Sequence, residues 1–233
     1  MKRLFGSVLE IMPMAALAVL FGAIAFAQDP VPLDPEHYKV ELENERVRVV
    51  RVLYGPGEGS PMHEHPAGVG ITMTVTKSRF QMPDGSTREG RRRPAGVVFW
   101  REPTRHANQN LMSEAAEMIE MDLKDLPDRG AAEVAKSDSP EQLETVELEN
   151  EFVRVLRARI PGGGKTSTHK HPDRVIVVMG DQRLRLTTSG GRAEERTLQK
   201  GQVLWMLAET LSVENTGSGM GESIIVELKP WNK

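Results

Sequence analysis

The chain has 233 residues, 39% of them hydrophobic, which is enough for one large or two small globular domains. A formal net charge of −3 with 27% charged residues gives no reason to expect nucleic acid or an acidic membrane as partner. Cysteine is absent, which excludes disulfides, thiolate metal ligands, a cysteine nucleophile and a lipid anchor on an N-terminal cysteine. Any metal must therefore be held by nitrogen and oxygen.

The N-terminus reads as an export signal. Lys2 and Arg3 form a short positive region, Ile11 to Ala27 is almost wholly apolar, and Ala25-Phe26-Ala27 before Gln28 has the small-x-small form of a cleavage site. This predicts a signal peptide over residues 1–27, a mature terminus at Gln28, and a periplasmic or secreted protein with no stable membrane anchor after cleavage. The competing reading is an uncleaved anchor, because the apolar stretch falls only slightly short of the roughly 20 residues that span a bilayer.

Beyond the signal the chain repeats itself, a feature sought before any motif because it decides the fold. Val40-Glu41-Leu42-Glu43-Asn44-Glu45-Arg46-Val47-Arg48-Val49 returns as Val146-Glu147-Leu148-Glu149-Asn150-Glu151-Phe152-Val153-Arg154-Val155, an offset of 106. The same offset carries His63-Glu64-His65-Pro66 onto His169-Lys170-His171-Pro172. Further on it drops by one, so that Trp100 pairs with Trp205 and Asn110 with Asn215. The organisation predicted is a first domain over 28–124, a linker over 125–145 with room for a helical turn around Ala131 to Ala135, and a second domain over 146–233.

Within each copy the apolar residues alternate with polar ones, as Val47 and Val49 and then Val153 and Val155 do with arginines. Those are half-buried strands. Val97 to Trp100, Val203 to Trp205 and Ile224 to Val226 are continuous apolar runs, predicted to be strands buried on both faces. Gly55-Pro56-Gly57, Asp84-Gly85, Gly162-Gly163-Gly164 and Gly190-Gly191 supply the turns. Many short strands with regular turns predict an all-β sandwich or barrel. Arg91-Arg92-Arg93, with no aromatic residues interleaved, reads as a solvated loop and not as a nucleic-acid patch.

The histidines carry the chemistry. Residues i and i+2 of a strand share a face about 6 to 7 Å apart, so a His-x-His pair can aim two imidazoles at one ion. His63 and His65 do this in the first copy, and His169 and His171 in the second. A third histidine, His106, follows Trp100 in the first copy, whereas its counterpart in the second is Leu211. Three imidazoles suit a divalent transition metal such as Fe, Mn, Zn, Ni or Cu. Two rarely suffice, so His169 and His171 are the weaker candidates, with Glu209 a further donor to weigh beside them.

These residues resemble the cupin superfamily, whose first motif is a glycine, five residues and His-x-His, and whose second is Pro-x-Gly followed by His-x-x-x-Asn. Gly57 precedes His63 and Gly163 precedes His169 at the first spacing. Pro94-Ala95-Gly96 and His106 to Asn110 match the second, of which the second copy keeps only Gly201 and Asn215. The resemblance implies two tandem jelly-roll β-barrels, a bicupin. The glutamate that cupins carry after the His-x-His pair is replaced by Val69 or Gly70, and by Val175 or Ile176. The remaining triad resembles the three-histidine sites of thiol and diketone dioxygenases. The expectation is a metal-dependent oxygenase-type enzyme acting on a small anionic compound. The alternatives are a non-catalytic module binding a small ligand or sugar, and a metal-dependent sugar isomerase or lyase. Catalytic acid and base residues, the substrate and the homo-oligomeric state are open at this point.

Overall fold

The computed structural model describes residues 28–126 and 142–230. The predicted export signal and the predicted helical turn around Ala131 lie outside the described residues. The first copy runs through β1 (Tyr38–Glu43), β2 (Val47–Tyr54), β3 (Gly59–His65), β4 (Gly68–Thr72), β5 (Ser78–Gln81), β6 (Thr87–Glu89), β7 (Val98–Arg101), β8 (Thr104–Asn110) and β9 (Ala116–Leu123). They form a five-stranded sheet, β1-β2-β9-β4-β7, and a four-stranded sheet, β3-β8-β5-β6. The second copy repeats this with β10 (Glu144–Glu149), β11 (Val153–Ile160), β12 (His169–His171), β13 (Arg174–Val178), β14 (Gln182–Thr188), β15 (Ala193–Leu198), β16 (Val203–Met206), β17 (Glu209–Asn215) and β18 (Gly221–Leu228). Its sheets are β10-β11-β18-β13-β16 and β12-β17-β14-β15, the same orders strand for strand. Even the irregularity between Val40 and Leu42 recurs between Val146 and Leu148. The fold is all-β, two jelly-roll barrels in tandem.

Strand alternation then decides what each sheet face does. On β2, Val47 and Val49 point one way, while Val50, Val52 and Tyr54 point into the barrel. The outward set does not meet water. Val47, Val49, Val69, Ile71, Ile119 and Met121 join Val153, Val155, Val175, Val177, Ile224 and Val226 in one buried cluster that spans both copies. Each five-stranded sheet is thus buried on both faces, one by its own barrel and one by the other copy. That explains the unbroken apolar run at Ile224 to Val226. Each fully buried valine contributes about 1.5–3 kcal/mol, so the shared face is a large part of what holds both halves together. The runs at Val98–Arg101 and Val203–Met206 differ from expectation: both are edge strands and only partly buried.

The contact between copies is two-fold in character. Arg51 donates to the carbonyl of Gly201 (2.5 Å) and Arg157, its repeat, to the carbonyl of Gly96, the repeat of Gly201. Arg51 is held by Glu41 and Glu117, and Arg157 by Glu147 and Glu222. Gly96 and Gly201 both have φ near +80° (81° and 88°), which leaves their carbonyls turned out of the loop toward those arginines. A self-complementary patch of this kind is how identical subunits pair, here realised within one chain. Separating the copies would strip the valine face bare. Residues 34–126 expressed alone are expected to aggregate or remain insoluble; a monomeric half with a cooperative unfolding transition would show that the shared core is dispensable.

Candidate metal centre

β3 and β8 are antiparallel neighbours, and their register sets His63 directly opposite His106. A bulge between Ser60 and His63 re-aims the end of β3, and His65 follows on the same face. All three histidines are buried. One ring nitrogen from each lies within 4.8 Å of the other two, and among the described residues no other group of three histidine or acidic donors comes as close. The structure thus brings His63, His65 and His106 together inside the first barrel.

The groups behind the rings fix which nitrogen faces the centre. His63 Nδ1 donates to the carbonyl of Pro61 at 2.7 Å, which leaves Nε2 with its lone pair directed inward. His65 Nδ1 lies 3.4 Å from Glu120 Oε2, so its Nε2 is likewise turned to the centre. The two Nε2 atoms are 2.7 Å apart. Burial depresses all three imidazoles, His65 to about 3 and His106 to about 4, with His63 also lowered, which favours the neutral form that donates to a metal. Lone pairs aimed at one another at this distance repel unless a cation or a proton sits between them. The donor set therefore fits a divalent ion of the kind that takes imidazole nitrogen.

Two supporting residues lie outside every motif. Glu120, on β9, stands behind His65 and is gripped by Arg101 Nη1 at 2.5 Å, while Arg101 Nη2 bonds Asp122. Burial alone would raise the Glu120 carboxyl, but the Arg101 charge outweighs it and holds it at about 2. The Tyr38 hydroxyl lies 3.1 Å from His63 Nε2, the nitrogen that faces the centre, and accepts a hydrogen bond from Tyr54 at 2.5 Å. Glu120 carries no sequence signal beyond a charge in an apolar run, two residues before Asp122; Tyr38 sits just before the recognisable repeat and has Glu144 as its counterpart, so repeat matching passes over it.

The position that cupins give to a fourth ligand is filled differently. A Cβ on Gly70 would meet the Phe99 ring at 2.3 Å, so the missing side chain is what admits Phe99. Arg93 lies over that ring at 4.4 Å and Arg88 over Phe80 at 5.7 Å. Arg88, Arg93, Phe80, Phe99 and His106 line one cavity of about 420 Å³. Of the basic run, Arg91 and Arg92 are exposed as expected of a solvated loop, but Arg93 is half-buried, lines this cavity and forms an isolated backbone bridge to Thr76.

The second barrel keeps the framework and loses the triad. His169 and His171 face Leu211 and Glu209 across β17, and their ring centroids are 4.2 Å apart. Glu209 is partnered by Arg192 at 3.4 Å, and His169 Nε2 lies 4.0 Å from Glu144. His37, outside the repeat, is bonded to Asp34 and Glu58 away from either pair.

The carboxylate–imidazole–metal relay predicts a measurable role for Glu120. Glu120→Gln is expected to weaken metal binding by about 10- to 100-fold while leaving the fold intact, read by competition with a metal chelator. Unchanged affinity would show that Glu120 serves only Arg101.

No protein-family model matches the chain, and no curated protein matches it. Solved structures do. AerE from Microcystis aeruginosa superposes with a TM-score of 0.62 at 15% identity, covering 87% of this chain and 97% of that one. The formate complex of Lactobacillus farciminis oxalate decarboxylase gives 0.57 at 11% identity, covering 84% and 81%. A Bacillus subtilis oxalate decarboxylase variant gives 0.57 at 13%, covering 79% and 69%. At these identities the likeness speaks for fold alone. With the two matching sheet orders and the histidine-bearing β3 and β8, it makes this chain a tandem cupin-fold protein.

Proposed function

We propose that this chain is an exported metal-dependent enzyme whose first barrel acts on a small anionic compound by oxygenase-type chemistry. The observation that carries the reading is the convergence of three neutral, buried imidazoles on one point, with the nearest carboxylate, Glu120, committed to Arg101 and His65. A divalent ion held by His63, His65 and His106 would keep its positive charge uncompensated, and would supply Lewis-acid polarisation of a bound carboxylate or enolate together with access to dioxygen.

The chain's own residues then sort by what they touch. Arg88 and Arg93 line the cavity beside His106 and draw an anion toward the triad. Phe80 and Phe99 line the same space and give it an apolar wall. Tyr38, whose hydroxyl burial pushes far above the ordinary tyrosine range, stays protonated and offers a hydrogen bond at the triad's edge. Glu120 orients His65 and keeps its charge paired.

Oxalate decarboxylase is named for a small dicarboxylate and one of the similar structures holds formate, so small carboxylates are the first compounds to offer, followed by diketones and thiols. Oxygen uptake is expected with at least one of them in metal-loaded protein. It should vanish in His106→Ala. Arg93→Ala should raise KM about tenfold, equivalent to roughly 1.4 kcal/mol of lost anion binding. Turnover without oxygen uptake would replace the oxygenase reading with lyase or decarboxylase chemistry, and a protein that binds no metal would end both.

A further inference from the structure

The interior of the second barrel is not a worn copy of the first. Gly68 is replaced by Arg174, and Arg101, which faces Gly68 across the strands, by Met206, which faces Arg174. The buried guanidinium has moved from β7 to the repeat of β4. Its surroundings have changed with it: Glu120 becomes Ile225, His106 becomes Leu211, and Phe80 becomes Leu186. Where Arg101 grips two carboxylates, Arg174 donates to the carbonyls of Pro172 and Leu207, both at 3.2 Å, and to the Met206 sulfur at 3.7 Å. Among the described residues it forms no ion pair, although only 2% of it is exposed. A guanidinium has five N–H donors, and burying its charge without a counter-ion is costly.

Beside it stands a second incomplete group. His171 is 2% exposed, and neither of its ring nitrogens has a hydrogen-bond partner. Glu227 Oε1 is 3.5 Å from Nδ1, but the alignment makes no bond. Arg174 and His171 both line a cavity of about 50 Å³ whose other walls include Ile176, Leu184, Leu186 and Ile225. Glu144 is the carboxylate among the lining residues, and it lies toward His169.

We propose that the second barrel is a metal-free binding site for a short-chain apolar carboxylate, its chain in the leucine- and isoleucine-lined cavity and its carboxylate on Arg174 and His171. Glu227, Glu209 and Glu144 act on Arg174 only from beyond ion-pair distance, so the bound carboxylate would supply the directly bonded counter-ion that is missing and an acceptor for the His171 N–H. Size limits the chain: an apolar cavity of roughly 150 Å³ takes the six carbons of benzene, so this one, about a third of that, suits about two carbons beyond the carboxylate. The site is separate from the triad, and the proposal does not rest on what the first barrel catalyses.

Propionate and 1-propanol, equal in chain length and differing in the charged head, are the probes, titrated into the full chain and followed by ligand-observed NMR. Propionate should bind with 1-propanol at least tenfold weaker, and one equivalent should remain in His63→Ala, which disables the first barrel. In that background Arg174→Met should weaken propionate at least tenfold. Val213→Phe, which narrows the cavity and leaves Arg174 and His171 in place, should do the same if the arginine variant fails to fold. No saturable propionate binding in His63→Ala, equal affinity for the alcohol, or binding that survives both second-barrel variants would overturn the proposal.

Discussion

Everything else in this molecule depends on the valine-rich face that the two five-stranded sheets bury against each other. Val47, Val49, Val69 and Ile71 from one copy meet Val153, Val155, Val175 and Val177 from the other in a single core. Because that face is satisfied by the partner copy, the opposite face of each sheet is free to be specialised. Stability comes mainly from one side of the sheet and chemistry from the other. The paired contacts of Arg51 and Arg157 with the Gly201 and Gly96 carbonyls fix the register of that packing.

The interiors have diverged accordingly. In the first barrel the polar groups form a connected set: Arg101 bridges Glu120 and Asp122, Glu120 backs His65, and Pro61 and Tyr38 hold His63. Such a set is costly to bury unless its members are partnered, and at the triad the three ring nitrogens converge on a point that a cation would fill. In the second barrel Glu120 and His106 give way to Ile225 and Leu211 and Arg101 to Met206, while the two histidines and the acid at the Asp122 position, Glu227, remain, and the relocated arginine is left with carbonyls and a thioether. The same scaffold therefore presents a polar, histidine-lined chamber in one copy and an apolar one in the other.

The sequence made the duplication, the strand character and the His-x-His pairs plain, because repeats and period-two alternation are local signals. It also showed that His106 has no partner in the second copy. What it hid depends on pairing across strands. Glu120 reads as one charge in an apolar run until β9 is placed beside β4 and β7, which bring it to Arg101 and His65. Arg93 sat in a run that looked wholly solvated, and only the bridge to Thr76 turns it onto Phe99. The exchange of Arg101 for Arg174 is invisible to position-by-position comparison, since it keeps the group and changes the strand. Edge position likewise overrode composition at Val98–Arg101 and Val203–Met206, where apolar runs lie half-exposed.

The central claim is that the two barrels have divided their roles, with a metal site in the first alone. Metal content by mass spectrometry of the intact, folded chain tests it most directly, on wild type and on alanine variants of His63, His65, His106, His169 and His171. One equivalent per chain, lost in each of the first three variants and retained in the last two, is the predicted result. Two equivalents in wild type, or metal retained by His106→Ala and lost from His171→Ala, would contradict it.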